Sequence, residues 1–239
     1  MSKLFFLLLC MVSQSGCVAQ KKQLSIPIIF ENICKEEENI LNKNLVNAFD
    51  EDYSITKFKY YVSNIRFVTD KKINNAAGVY LIDASKNNII SIIVPPEKVS
   101  GISFLLGVDS ILNCSGAQSG ALDPLNDMFW TWNNGYIFFK VEGNSANSKA
   151  DLHRIEHHIG GFKGNNKTMT EIYLPINSKV LLKRKKLVIQ LDIDKYWNGI
   201  NKLKIAEMPV IATPGTPAKY AANNFTGMFS IKNNKKNKD

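Results

Sequence analysis

The stretch GALDPLNDMFWTWNNGYIFFKVEG, residues 120–143, decides the predicted fold of this part of the chain. Asp-Pro at 123–124 predicts a turn before the two tryptophans, and Asn-Asn-Gly at 133–135 predicts a turn after them. The apolar run at 136–141 then predicts a strand. The stretch as a whole predicts a tryptophan-bearing loop that is held between two turns and leads into a strand.

The two tryptophans of this loop are separated by one residue. In an extended segment Trp130 and Trp132 lie on one face, and Thr131 lies on the other. Tryptophan is heavily buried on average, so the pair suits a core as well as a binding site. The pattern predicts a paired aromatic patch and leaves both uses open.

Short β-strands are predicted along most of the chain, most clearly at residues 55–63, where apolar and polar side chains alternate. Pro27 interrupts the first strand, which is therefore predicted to be an edge or bent strand. Residues 34–49 fit either a short helix or a polar strand. Further strands are predicted at 24–30, 79–82, 89–94, 101–107, 171–174, 186–193 and 226–231. This pattern predicts an all-β fold, an antiparallel β-sandwich in a single domain with few short helices.

The beginning of the chain is typical of an export signal. Residues 1–19 combine the basic Lys3, an apolar centre and a small or polar end, which predicts a signal peptide cleaved after Ala19. The alternative is a lipoprotein, because Ser-Gly-Cys at 15–17 is similar to the end of a lipobox. Both interpretations predict an exported protein, either in the periplasm or anchored to the outer membrane as a lipoprotein.

The remaining chain is predicted to form one domain at residues 20–231, followed by a basic disordered tail at 232–239. The net charge is +9, yet no nucleic-acid-binding motif is present, so the charge is interpreted as solvated surface. No stretch after the signal is apolar enough to predict a transmembrane segment.

The cysteines that remain after the predicted cleavage are Cys34 and Cys114. Two thiols in an oxidising compartment are a candidate disulfide. In the chain-entropy model, closing a loop of about 80 residues stabilises a fold by roughly 4 kcal/mol.

All three histidines lie in one segment, residues 151–162. In a helix, His153 and His157 would sit one turn apart and could chelate a metal together. In a strand they share a face but lie about 13 Å apart, while His158 faces the other way. Gly-Gly at 160–161 follows directly and favours a strand that ends in a turn.

No enzyme motif is recognisable in the chain. A hydrolase needs a nucleophile beside a base, but there is no Gly-x-Ser-x-Gly elbow and no His-Glu-x-x-His helix. Walker and dinucleotide glycine patterns are also absent from the sequence. Asp109, Asp123, Asp127 and Glu142 are candidates for a carboxylate pair, but nothing in their spacing defines a geometry. The sequence therefore predicts a binding protein rather than an enzyme.

Six segments together carry a resemblance to a known family, and they follow in order over nearly the whole predicted mature chain. They are KFKYYVSN (57–64), LGVD (106–109), GALDP (120–124), MFWTWNNGY (128–136), HIGG (158–161) and ANNFTGMFS (222–230). On these segments the chain resembles the MbnP-like family of copper-binding proteins. The Met-Phe-Trp-Thr-Trp block is specific, and the other segments contribute through their order.

The resemblance implies a copper site that uses an oxidised tryptophan. An intact indole is a poor ligand because its nitrogen only donates a proton, whereas oxidation to kynurenine frees an aryl amine. The resemblance implies that a di-haem c-type enzyme partner performs this oxidation on Trp130 or Trp132. Copper would then lie between one of these residues and His158, with His157 or Met128 as further neighbours, and imidazole suits copper well.

The sequence also departs from the family pattern. The copper binders that this chain resembles use more than one histidine, from separated parts of the chain, whereas here all three lie within residues 153–158. Two hypotheses therefore follow. The first is an exported copper-binding protein for copper storage or delivery. The second is a metal-free β-sandwich module that binds a ligand or partner at the cell envelope with its aromatic patch.

Overall fold

A computed structural model describes residues 24–70, 74–75, 78–116, 118–131 and 134–232 of the chain. The predicted signal peptide at 1–19 lies outside these residues, as do Trp132 and residues 233–239 of the predicted tail.

The described residues form fifteen strands and five short α-helices, with four short 3₁₀ turns between them. The strands are β1 (Ser25–Cys34), β2 (Glu37–Glu38), β3 (Leu45–Val46), β4 (Asp52–Thr69), β5 (Asn74–Asn75), β6 (Val79–Asp83), β7 (Ile89–Ile93), β8 (Val99–Leu106), β9 (Phe129–Thr131), β10 (Gly135–Asn144), β11 (Arg154–Gly160), β12 (Thr170–Pro175), β13 (Leu187–Asp192), β14 (Val210–Ile211) and β15 (Phe229–Ile231). The helices are α1 (Ser110–Cys114), α2 (Ser178–Arg184), α3 (Asp194–Trp197), α4 (Thr216–Ala222) and α5 (Phe225–Met228).

These strands form two sheets. The larger has the strand order β12-β8-β4-β10-β11-β14, and the smaller is built on β15-β13-β1, with β2 and β7 also paired to β1. Most pairings are antiparallel, but β1 runs parallel to β13 and β11 runs parallel to β14. The predicted all-β single domain with few short helices is confirmed, and its sheets are mixed rather than purely antiparallel.

Strand β4 connects the two halves of the larger sheet. It is 18 residues long, and it pairs with β10 over residues 54–60 and with β8 over residues 62–69. The predicted strand at 55–63 is therefore the middle of a longer element. Strand β10, which carries part of the candidate site, is held in register by β4 on one side, and it pairs with β11 on the other.

The main core lies between the two sheets. Phe30 of β1 meets Phe104 of β8 edge to face at 5.9 Å, and Phe104 meets Phe229 of β15 at 5.2 Å. A second apolar group covers the opposite face of the larger sheet, and we call it the outer cluster. Its buried members are Tyr61, Val108, Leu122, Met128, Tyr136, Ile137, Phe138 and Phe162.

Pro27 is accommodated near the start of β1 for a simple reason. At Pro27 the strand pairs with Ser91 of β7, while its pairing with β13 begins only at Ile28. The strand is thus paired on one side at the proline, where a missing N–H leaves no gap in the ladder. Strand β1 as a whole is nevertheless internal to its sheet, so the predicted edge position holds only locally.

One predicted strand is partly a helix, and at residues 34–49 the strand alternative is the one that the structure contains. Residues 34–49 contain the short strands β2 and β3 joined by turns, and no helix. The strand predicted at 226–231 begins as the helix α5 and becomes extended only at Phe229.

Gly143 provides a test of the β4–β10 contact. A Cβ at this position would overlap the backbone carbonyl oxygen of Ser54 in β4. We expect Gly143→Ala to lower the free energy of unfolding by about 3 kcal/mol, because the backbone must move to relieve the overlap. Urea denaturation measures this change.

Gly227→Ala is the matched control, because nothing lies within 4 Å of a Cβ built there. We expect this variant to unfold at the wild-type urea concentration or above, since alanine favours a helix. Equal stability of the two variants would contradict the predicted close approach of β4 and β10.

Candidate functional site

The candidate site lies on the outer face of β10 and β11. In β11 the residues Ile155, His157 and Ile159 are buried on the core side, and Glu156 and His158 point to the other side. Side chains alternate in this way because a strand has a two-residue period. The predicted strand is confirmed, and it separates the two adjacent histidines onto opposite faces.

His158 is bound to Glu142 across the β10–β11 pair. Its Nε2 lies 2.8 Å from Glu142 Oε1. The hydrogen bond from His158 lowers the pKa of Glu142 far below its ordinary range, and Lys57 and Lys140 lower it further. An ionised carboxylate only accepts, so Nε2 carries a proton and Nδ1 is the ring nitrogen that can offer a lone pair.

The free nitrogen of His158 faces a second carboxylate. Nδ1 lies 3.7 Å from Glu156 Oε1, which is too far for a hydrogen bond. Arg154 Nε instead donates to the other oxygen of Glu156, Oε2, at 3.3 Å. One imidazole lone pair and one carboxylate oxygen therefore converge beside β11.

Two lysines complete what we call the polar cluster, made of Lys57, Asp127, Lys140, Glu142 and His158. Lys140 Nζ lies 3.0 Å from Asp127 and 3.4 Å from Glu142, although the residue is only 1% exposed. Lys57 Nζ lies 2.8 Å and 3.0 Å from the same two carboxylates. Two ammonium groups against two carboxylates leave the cluster without a net charge.

Asp127 reaches the two lysines from the turn that precedes the tryptophan block. It follows the 3₁₀ turn Pro124–Asn126 in a left-handed conformation, with φ of 61°. Partial burial alone would raise the pKa of Asp127, but hydrogen bonds from Lys57 and Lys140 lower it overall. Asp127 thus ties the tryptophan-bearing loop to the central strands.

Trp130 lies on the same face of the sheet as His158. A Cβ built on Gly160 would be 2.8 Å from Trp130 Cζ3, so the indole packs directly on this glycine. Gly160 and His158 are two residues apart in β11 and share a face, with Cα atoms about 6.6 Å apart. Trp130 is half-buried against the outer cluster, on the face of the sheet that also carries the polar cluster.

His157 is a core residue, and both of its ring nitrogens are occupied. Its Nε2 donates to the carbonyl oxygen of Met208 at 2.8 Å, and its Nδ1 accepts from the hydroxyl of Tyr196 at 2.7 Å. The ring is fully buried. His157 has no lone pair left for a ligand in this structure, so its sequence-based assignment as a copper neighbour is not supported by its geometry.

The remaining candidate residues are His153, Met128 and Trp132. His153 precedes β11, in the 3₁₀ turn Asp151–His153, and its Nδ1 lies 3.1 Å from the carbonyl oxygen of Ser148. Met128 is completely buried in the outer cluster. Trp132 lies outside the described residues.

The predicted disulfide is not formed, since both cysteines are free thiols. Cys34 Sγ lies 3.7 Å from the hydroxyl of Tyr53, near the residue of β4 that pairs with the last residue of β10. Cys114 ends α1, where the neighbouring Asn113 accepts from the amide of Tyr136, the second residue of β10. The two thiols therefore lie near opposite ends of β10, a separation of about 26 Å along the strand.

The described side chains do not by themselves form a complete metal site. Within residues 24–70, 78–116, 118–131 and 134–232, no three His, Cys, Asp or Glu side chains are grouped so that they could hold a metal ion. A metal at His158 would therefore take a donor of another kind, and among the described side chains Trp130 lies on the same face of the sheet.

Sequence reasoning missed the lysine at the centre of this site. Lys140 is a single charged residue within the apolar run at 136–141, and that interruption was the available signal. The pairing of Glu142 with His158 had no sequence signal, because it depends on the register of two strands.

The described residues contain no helix that is both long enough and apolar enough to cross a membrane.

The burial of His157 predicts a pH-dependent stability. Burial lowers the pKa of His157 from 6.5 to about 4. Between pH 6.5 and pH 4 this histidine is protonated in the unfolded chain but stays neutral in the folded chain. The free energy of unfolding therefore falls as the pH drops from 6.5 to 4. One such group accounts for about 3 kcal/mol over that range.

Urea unfolding at pH 7, 6, 5 and 4 measures this effect. We expect His157→Gln to be less stable at pH 7 but to lose less stability on acidification than the wild type. His153→Gln, which alters a histidine outside the core, should keep the wild-type slope. Parallel curves for all three proteins would contradict the prediction.

Comparison with known proteins places this geometry in a family. None of the curated proteins matches the chain. The solved structure of MbnP from Methylosinus trichosporium has a similar fold, with a TM-score of 0.57 at 16% sequence identity, over 76% of this chain and 80% of that one. At this identity the match shows the fold alone. The model of the MbnP family matches residues 23–213, which is most of the chain, and the protein therefore belongs to the MbnP family.

Proposed function

We propose that this protein binds copper on the outer face of β10 and β11 and holds it for storage or delivery outside the cytoplasm. The observation that carries the proposal is an imidazole nitrogen, Nδ1 of His158, that Glu142 does not occupy, on the same face of the sheet as the indole of Trp130, in a chain of the MbnP family. Copper is the cargo in this proposal, and the protein is a binding protein rather than an enzyme.

The described residues offer two donors of their own. Nδ1 of His158 and Oε1 of Glu156 lie 3.7 Å apart, a separation that two ligands of one metal ion can have when each bond is about 2 Å. In this arrangement Glu142 does not bind the metal. It accepts the hydrogen bond from Nε2 of His158 and so orients the ring.

A further donor is proposed to come from Trp130 or Trp132. Oxidation to kynurenine, with loss of one ring carbon and gain of one oxygen, frees an aryl amine whose lone pair can bind copper. The oxidant in this proposal is O2, which a di-haem c-type enzyme partner would use to open the ring, and hydrolysis by water then releases the lost carbon as formate. The packing of Trp130 on Gly160 supports the proposal, since it places this ring on the same face as His158.

The proposal also includes export of the protein from the cytoplasm. The signal predicted at residues 1–19 would place the protein in the periplasm, and lipidation of Cys17 would anchor it to the outer membrane. The mass of the first peptide of the mature protein distinguishes a chain that begins at Gln20 from one that begins at a lipidated Cys17.

The main test combines mass spectrometry and metal analysis on protein purified from its native host. We expect one copper per chain and a peptide containing Trp130 and Trp132 that has exchanged one carbon for one oxygen. His158→Gln should lose the copper, and the matched variant His153→Gln should retain it. Unmodified peptide together with no copper, or copper retained by His158→Gln, would overturn this assignment.

Glu142→Gln tests the orienting role of this carboxylate. The amide of glutamine is neutral and can itself donate to His158 Nε2, so it no longer keeps the proton of His158 on Nε2. We therefore expect copper affinity to fall by about 10- to 100-fold. Asp127→Asn removes a charge from the same cluster without touching His158, and its affinity should change less. Competition with a copper chelator measures both, and equal losses would mean that only the charge of the cluster matters.

The second candidate is a metal-free module that binds a ligand or partner through the aromatic patch. The charge balance of the polar cluster favours it, as does the lack, within the described part of the chain, of a three-residue metal group. It predicts intact indoles and binding that survives a chelator. The same purified sample therefore decides between the two candidates.

A further inference from the structure

A cavity of about 550 Å³ opens at one edge of the sandwich, away from the residues of the polar cluster. It lies where α2 crosses from the end of β12 in the larger sheet to the start of β13 in the smaller one. Both sheets contribute to its wall, through Leu174 of β12, Leu187 of β13 and Phe229 of β15. The cavity is therefore an opening between the two layers, and α2 covers it. We call it the edge cavity.

The walls of the edge cavity are apolar and continuous with the main core. The buried residues that line it are Leu174, Leu181, Leu187 and Phe229, each at most 6% exposed. The ring of Phe229 also packs on Phe104 at 5.2 Å, inside the core. A ligand that enters here meets core side chains, and a volume of this size lies within the range of about 300–1,000 Å³ that is usual for small-molecule sites.

The rim of the edge cavity is cationic. Arg184, Lys186 and Lys232 lie on it, with Glu31 as the one carboxylate among the described lining residues. Lys232 is neutralised, because its Nζ lies 2.9 Å from Glu31 and 2.6 Å from Glu38. Lys232 is the first residue of the tail predicted to be disordered, and in the structure it forms these two ion pairs.

The other two rim cations lack such partners. Arg184 donates from Nη1 to the carbonyl oxygen of Lys232 at 3.3 Å. In the described part of the chain no carboxylate forms an ion pair with Arg184 or Lys186. Lys185 caps α2 in a left-handed conformation, with φ of 50°, and this turn leads the chain from Arg184 to Lys186 beside the opening. A planar guanidinium with an ammonium near it is a well-matched site for a carboxylate.

We propose that the edge cavity binds a fatty acid, with the acyl chain among the apolar walls and the carboxylate at Arg184 and Lys186. Apolar walls select a hydrocarbon, and uncompensated cations at the mouth select an anionic head. The segment at 233–239, NNKKNKD, is a poor occupant because it is polar and carries three lysines, the same sign of charge as the rim. The proposal uses none of the residues assigned to copper.

The first experiment compares three head groups on the same ten-carbon chain. Isothermal titration calorimetry of the full predicted mature protein with decanoate should show one site per chain. Decanol, which lacks the charge, should bind about tenfold more weakly, a difference of about 1.4 kcal/mol, and decyltrimethylammonium should not bind. Equal affinity for the three compounds, or no binding of decanoate, would overturn the proposal.

The second experiment tests the head-group contacts. Arg184→Gln with Lys186→Gln should weaken decanoate binding by about tenfold or more and leave decanol unaffected. The matched control, Lys179→Gln with Lys183→Gln, removes the same charge from α2 without touching the cavity lining. Equal losses of decanoate affinity in both double variants would mean that only the net charge matters. That result would overturn the assignment of the carboxylate to Arg184 and Lys186.

The third experiment tests the apolar wall with exposed residues, so that the fold is not at risk. Val180 lines the cavity and is 41% exposed, whereas Leu182 lies on the same helix, is 49% exposed and does not line it. Val180→Asp should abolish decanoate binding, and Leu182→Asp should keep it. Decanoate binding that appears only after removal of residues 233–239 would overturn the proposal and assign the cavity to that segment.

Discussion

The pairing of β10 with β4 on one side and β11 on the other is the constraint on which the rest of the structure depends. It sets Lys140 opposite Lys59 and His158, and Glu142 opposite Lys57 and Glu156. Because side chains alternate along a strand, the same register turns Phe139 and Val141 into the main core. A slip of one residue would exchange the two sets, so the hydrophobic driving force that buries the phenylalanine also positions the imidazole of the candidate site.

The outer face of this sheet has two different halves that meet at Gly160. On one side the outer cluster packs loops and aromatic rings onto the sheet, and Trp130 forms its border. On the other side ammonium and carboxylate groups neutralise one another around Lys140, which is 1% exposed and would be costly to bury unpaired. The imidazole of His158 therefore lies in a partly buried environment on this face, and the carboxylates of the polar cluster are balanced by its two lysines.

The two proposed sites use different properties of the same sandwich. The copper site depends on side chains that project from the outer face of the larger sheet, where strand register sets their positions. The edge cavity depends on the spacing between the sheets, which α2 bridges where β12 ends and β13 begins. No residue belongs to both, so a variant that affects one site leaves the other available as an internal control for folding.

Local sequence patterns determined most of the secondary structure of this protein. Alternation at 55–63, the apolar run at 136–141 and the Gly-Gly after His158 each predict elements that the structure contains, because a strand needs only its own two-residue period. Tertiary structure alone decided which residues meet. His157 and His158 are neighbours in sequence, yet one is enclosed by Tyr196 and Met208 and the other binds Glu142. Likewise the two cysteines lie near opposite ends of β10, because long-range contacts depend on how strands are ordered in a sheet, and that order follows from the burial of the whole chain.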